Sequence, residues 1–186
     1  MFGKDSQLPD RAKAIRFEQT VLPHLGSAYN LARWLIRNDH DAEDVVQEAY
    51  LRALRFFDGY HGGDSRSWLL TIVRNTCYSW MQRNHLQEQT VLFDEEIHSD
   101  PAGAPEGELQ LLQQADIELL RQSLEELPDE FREVIVLREL EGLSYREIAE
   151  VSNIPLGTVM SRLARARKHL HQCLTRKAGR EVRHGV

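Results

Sequence analysis

Helix-breaking residues are concentrated in two places, DGYHGGD at 58–64 and SDPAGAPEGE at 99–108. The rest of the chain repeats its apolar residues at helical spacing, and no run of alternating β-branched residues is long enough for a strand. Pro101 and Pro105 both oppose helix and lie in an acidic stretch, which reads as an interdomain linker. A length of 186 residues suits one ordinary domain or two small ones. The expected fold is therefore all-α, two small helical domains joined by a flexible acidic linker. The N-terminal helical domain is placed at 1–88, the linker at 89–107, a C-terminal domain containing a helix-turn-helix at 108–178 and a basic tail at 179–186. No internal repeat is visible.

The helix-turn-helix is expected in LSYREIAEVSNIPLGTVMSRLARARKHL at 143–170. Ser144 followed by Glu147 is a capping box, and Ile148, Ala149 and Val151 form the buried side of the helix it starts. Pro155 cannot continue that helix but can sit in the first turn of the next. In the second helix Val159, Leu163, Ala166 and Leu170 recur at core spacing. Thr158, Ser161, Arg162, Arg165 and His169 recur on the other side, with Lys168 beside them. That stripe offers hydroxyls, guanidiniums and an ammonium but no carboxylate, the chemistry a helix needs in a major groove.

A net charge of −6 is unsuited to DNA as a whole, but it is unevenly spread. Residues 1–85 hold 11 basic against 10 acidic side chains, 86–130 hold 1 against 13, and 131–186 hold 11 against 6. The acidity belongs to the middle, and the C-terminal part is basic. No apolar run approaches the roughly 20 residues of a membrane helix, and MFGKDSQLPD lacks the apolar stretch of a signal peptide. Cys77 and Cys173 give no disulfide framework. A cytoplasmic protein without membrane insertion is expected.

Three helices are expected before the linker. The first spans about 17–37, with Leu31 and Leu35 buried, and stops at Asn38. The second starts at Asp41 as N-cap and runs to about 56, burying Val46, Ala49, Tyr50, Ala53, Leu54 and Phe57. The third begins near Ser65, capped by Ser65 or Asp64, and runs to about 84. Helices at about 108–126 and 129–141 follow the linker, separated by Pro128 and stopped by Gly142. Asp44, Gln47, Glu48, Leu51, Arg52 and Arg55 lie off the buried stripe of the second helix. The third interleaves Trp68, Tyr78 and Trp80 with Arg66, Arg74 and Arg83, which suits unpaired bases, although Trp68 itself reads as core.

DAEDVVQEAYLRAL at 41–54, SWLLTIVRN at 67–75 and the segment 127–170 together resemble bacterial RNA polymerase sigma factors of the small extracytoplasmic-function group. The resemblance covers nearly the whole chain apart from the linker and the two ends. It implies a non-catalytic specificity subunit with three macromolecular partners: core RNA polymerase, promoter DNA and an anti-sigma factor. It places Asp44, Gln47, Glu48 and Leu51 on the clamp of the largest catalytic subunit. It places Asp64, Ser65, Arg74, Asn75 and Tyr78 at the minus-ten element, where an unstacked base is captured. It assigns Thr158, Met160, Ser161, Arg162, Arg165 and Lys168 to the minus-thirty-five element. Many family members carry an arginine or similar donor where this chain has Met160. Methionine meets a thymine methyl but cannot form the forked bond to guanine.

A simpler regulator could end in the same helix-turn-helix, but the segments 41–54 and 67–75 argue against it. His169 and Cys173 are four apart on one helix, yet no second ligand pair is near, and catalytic zinc needs three protein ligands. No metal and no cofactor are expected.

Overall fold

The computed structural model describes residues 7–88 and 108–184, with side chains over 11–85 and 117–177. The expected linker at 89–107 lies outside these residues. The described residues are helices and turns throughout. The chain divides into two compact units, one built on its N-terminal helices and one mainly on its C-terminal ones.

The N-terminal unit contains α1 (Gln7–Val21), α2 (Leu25–Ile36), α3 (Asp39–Phe56) and α4 (Ser65–Glu88). The single helix expected over 17–37 is two helices, broken by a 3₁₀ turn at Leu22–His24. Pro23 has no N–H for the helical ladder and disfavours helix in the residue before it. Arg37 ends α2 in the left-handed conformation (φ 65°), its N–H bonded to the Arg33 carbonyl at 2.9 Å. The N-cap of α3 is Asn38 rather than Asp41: the Asn38 side chain accepts from the Asp41 amide at 3.1 Å. Asp39 and Asp41 then occupy the first turn, where the helix dipole favours negative charge.

Helices α2, α3 and α4 pack mutually around Leu31, Leu35, Val45, Leu69, Leu70, Val73 and Cys77, all buried. Five alanines on the facing surfaces, Ala28, Ala32, Ala42, Ala49 and Ala53, are fully buried and let the helices approach closely. Leu54 departs from the expected stripe and is 39% exposed, whereas Ala42 and Val45 are buried in addition. Phe17, Phe57, Tyr60 and Trp68 form an aromatic cluster with consecutive ring centroids 5.3, 5.9 and 5.0 Å apart. Trp68 is half-buried at its edge rather than in the core.

The C-terminal half of the chain contains α5 (Glu108–Glu125), α6 (Asp129–Ile135), α7 (Tyr145–Ser152) and α8 (Leu156–His184). The helix expected over 129–141 changes pitch: Val136–Leu140 is a π turn, closed by the Glu141 amide on the Val136 carbonyl at 3.0 Å. Gly142 follows with φ 68°, a conformation that glycine adopts without steric cost. Arg132 and Glu133 are fully buried here. The Arg132 guanidinium donates to the Glu125 carbonyl at 3.0 Å and to Asp129, so a charged group sits inside because its neighbours supply acceptors. The capping box forms as expected, Ser144 N–H to Glu147 at 2.6 Å and Glu147 N–H to the Ser144 hydroxyl at 3.3 Å. The corner before α8 is made by Asn153 in the left-handed conformation (φ 51°) together with Pro155. The Pro155 carbonyl accepts from Thr158 and Val159 at 2.8 and 3.1 Å, so proline stands just before the helix rather than inside it. The backbone of α8 continues through 179–184, within the segment expected as a tail. Among the described residues no helix is long and apolar enough to cross a membrane.

Candidate nucleic-acid interface

Three surfaces carry the residues singled out from the sequence. On α3, Asp44, Gln47 and Leu51 are exposed, Leu51 by 59%, and nothing in the packing of the unit requires them. Glu48 differs from these three. It is half-buried and bridges two arginines, Arg52 one turn on at 2.5 Å and Arg83 of α4 at 3.1 Å. Burial alone would raise its pKa, but hydrogen bonds from Arg83 and Arg52 outweigh this and hold the carboxyl below its ordinary value. Glu48 therefore ties α3 to α4. Phe56, 64% exposed at the end of α3, was not singled out by periodicity.

The second surface begins at the glycine loop and follows α4. Gly62 and Gly63 have φ 96° and 103°, and the Tyr60 hydroxyl donates to the Gly63 carbonyl at 2.7 Å. Asp64 caps α4, its carboxylate accepting from the Arg66 amide at 3.0 Å. Partial burial pushes the Asp64 pKa up, yet the Ser67 hydroxyl, the Ser67 and Arg66 amides and the nearby His24 more than reverse this and lower it. Ser65 meets the His24 Nε2 at 2.9 Å. The Arg66 Nε donates to the Ser27 hydroxyl at 3.2 Å. Neither His24 nor Ser27 was picked out from the sequence. Further along α4, the Arg74 guanidinium lies 4.5 Å from the Tyr78 ring centre and also donates to the Asn75 side chain at 3.3 Å. The five residues assigned to the minus-ten element thus form two groups, Asp64 with Ser65 and Arg74 with Asn75 and Tyr78. About 15 Å of helix rise separates them. One group borders the loop, and the other offers a cation over a ring beside an exposed amide.

The third surface is α8. Val159, Leu163 and Ala166 are buried as expected, and Leu170 is half-buried. Met160 is 50% exposed, and Ser161, Arg165 and Lys168 are exposed. Thr158 is half-buried, its carbonyl accepting from the Ser161 hydroxyl at 3.0 Å. The stripe carries no acid of its own, but α6 supplies one: Arg162 pairs with Glu130 at 2.8 Å. The neighbouring Arg167 likewise pairs with Glu139 at 2.7 Å. Arg165 and Lys168 form no ion pair among the described residues. The His169 ring packs 5.5 Å from Phe131. Burial, and then Glu126, push the Cys173 thiol above its ordinary pKa.

Two family models match this chain. The one described as "Sigma-70 region 2" matches residues 20–86, and "Sigma-70, region 4" matches 117–170. The first therefore spans the α3 face and the loop with α4, and the second spans the helix-turn-helix. The chain is 34% identical over 168 residues to the ECF RNA polymerase sigma factor SigE of Mycolicibacterium smegmatis, covering 90% of this chain and 65% of that protein. It is 34% identical over 147 residues to the ECF RNA polymerase sigma-E factor of Haemophilus influenzae, covering 74% and 76%. Among solved structures it is similar to the sigma factor RpoE in its co-crystal with the anti-sigma factor NepR from Bartonella quintana. That likeness has a TM-score of 0.71 at 30% identity and covers 86% of this chain and 97% of the other.

Proposed function

This chain belongs to the sigma-70 family, in its extracytoplasmic-function group, and from that premise we propose how its surfaces divide the work of promoter-specific initiation. The exposed α3 face, with Asp44, Gln47 and Leu51, docks on the clamp of the largest catalytic subunit of core RNA polymerase. Glu48 contributes there mainly by fixing α3 to α4. The glycine loop and the start of α4 receive a base flipped out of the minus-ten element, with Asp64 and Ser65 at the mouth. Arg74, Asn75 and Tyr78 hold the strand beyond it by stacking and charge. Helix α8 enters the major groove of the minus-thirty-five element. Thr158, Met160, Ser161 and Arg162 lie nearest its N-terminal end, Arg165 one turn further on and Lys168 at the groove margin.

One observation carries this reading: both units present surfaces that their own packing does not use, and those surfaces fall within the two matched regions. The role is one of binding, in the cytoplasm where the polymerase works, and this chain makes and breaks no bond in it. Run-off transcription with purified core polymerase on a library of genomic fragments tests it. Discrete start sites that depend on this chain are expected, and their absence on every fragment refutes the reading. We also infer restraint by an anti-sigma protein, because the similar RpoE was solved in complex with one. A protein captured by the tagged chain from its host should stop run-off transcription when added back. If every captured protein leaves the reaction unchanged, this part of the reading is withdrawn.

A further inference from the structure

The 3₁₀ turn at Leu22–His24 places His24 at the N-cap of α2, where a short polar side chain would ordinarily bond the helix's first free amides. His24 makes no such cap bond. Its imidazole is turned across to α4 instead and meets the Ser65 hydroxyl at 2.9 Å, with the direction of the bond set by the ring tautomer. One helical turn further along α2, the Ser27 hydroxyl accepts from the Arg66 side chain at 3.2 Å. Two residues at i and i+3 on α2 therefore hold two consecutive residues of α4, at the point where the glycine loop enters the helix.

That loop needs an anchor from outside itself. Gly62 and Gly63 have positive φ, and a Cβ at either position would meet nothing within 4 Å, so side-chain packing does not hold the loop there. Within the loop, Tyr60 bonds Gly63 at 2.7 Å. On the far side Asp64 caps α4 through the Arg66 amide. Fixing the start of α4 against α2 fixes where the Asp64 carboxylate and the Ser65 hydroxyl stand before any ligand arrives. A preordered site avoids the ordering cost on binding.

We propose that His24 and Ser27 are positioning residues for minus-ten recognition, holding the start of α4 so that Asp64 and Ser65 are preset to receive the flipped base. This rests on the reading that the loop and the start of α4 receive that base. Neither residue touches DNA in this scheme. Each acts through its partner on α4.

The test uses the holoenzyme and compares wild type, His24→Ala, His24→Gln and Ser27→Ala. Open-complex formation is measured on an intact promoter and on a series with single abasic sites across the non-template minus-ten strand. Core affinity and thermal unfolding are measured in parallel. On the intact promoter His24→Ala and Ser27→Ala should each slow open-complex formation roughly three- to tenfold, the range for losing one intramolecular hydrogen bond. His24→Gln places an amide near the position of Nε2 and should recover most of the rate. On the template lacking the captured base the variants should match wild type, because nothing remains for the preset site to hold. Equal loss on intact and abasic templates, no loss on the intact one, or no recovery by glutamine overturns the positioning role. If wild type itself is indifferent to every abasic site, the base-capture reading fails instead, and this inference with it.

Discussion

Glu48 lies on the face expected to meet the polymerase, yet it is held by Arg52 and Arg83, and Glu48→Gln separates the two roles. The i,i+4 pair with Arg52 contributes about 0.3–0.5 kcal/mol, and the cross-helix pair with Arg83 about 0.2–1 kcal/mol. The Glu48 side chain is 34% exposed, so solvent screening keeps both near the surface range. Glutamine retains a neutral acceptor, which leaves a net loss of about 0.5–1 kcal/mol, or about 2–8 °C in Tm for a unit of this size. The pH dependence follows from the lowered folded pKa. Stability from such a carboxylate is fully present above its unfolded pKa, near 4.3, and is lost as pH falls through the lower folded value. Thermal unfolding of wild type and Glu48→Gln by circular dichroism at pH 7, 5 and 3 should therefore show a gap that is constant at first and closes in acid. A gap that persists unchanged at pH 3 would mean that the carboxylate's charge was not its source. Glu48→Arg should unfold still earlier, so weakened polymerase binding by that variant would not by itself locate a contact.

Gln47→Ala, on the same face but without a structural bond, should weaken binding to core polymerase while leaving Tm within about 2–4 °C, since surface changes away from such features cost less than about 0.5 kcal/mol; fluorescence titration against labelled core checks it. Arg165→Ala should cost about 1–3 kcal/mol on promoters with the preferred minus-thirty-five sequence and relax preference at one position, whereas Lys168→Ala should weaken all sequences alike, as a promoter-library selection would show. Met160→Arg in the same selection should move one position toward guanine. Gly142→Ala places a Cβ at φ 68° and should destabilise the C-terminal unit by about 1 kcal/mol or more, read by chemical denaturation.

Local signals in the sequence were reliable where a short motif determines its own geometry. Ser144 and Glu147 closed their capping box, Asp64 capped α4, and Val159, Leu163 and Ala166 took the buried side of α8. Local signals failed where two valid options lay close together. Asn38 and Asp41 are both good caps, and the chain uses the earlier one, gaining an extra turn of α3. Apolar spacing carried across Pro23 and concealed the break between α1 and α2. Periodicity also assumes a constant pitch, so it cannot register the π turn that follows Ile135. The largest gaps concern charge. Glu48 and Arg162 read as solvated or DNA-facing on their own helices, and their partners Arg83 and Glu130 lie far away in sequence. Arg132 is interior because the Glu125 carbonyl and Asp129 supply acceptors to its guanidinium, which apolar spacing does not register. The anchoring of the loop was hidden for the same reason, since His24 and Ser27 meet Ser65 and Arg66 only after α2 and α4 pack together.

The Arg162–Glu130 and Arg167–Glu139 pairs also bear on the ionic atmosphere around the promoter. A cation that meets a phosphate normally displaces condensed small ions from the DNA, and each such neutralisation steepens the fall of log K with log salt by about 0.9. Arg162 and Arg167 already carry a carboxylate as counter-ion. When either meets DNA, an acidic side chain must be moved aside near the phosphates, which offsets part of the neutralisation. Of the four cations Arg162, Arg165, Arg167 and Lys168, Arg165 is assigned to a base edge, which leaves Lys168 to count in full. The salt slope contributed by this helix should then lie nearer −1 than −4, roughly one full neutralisation rather than four. Replacing Glu130 and Glu139 with glutamine should steepen it. The chain would thus hold duplex DNA with less dependence on ionic strength than its count of arginines suggests.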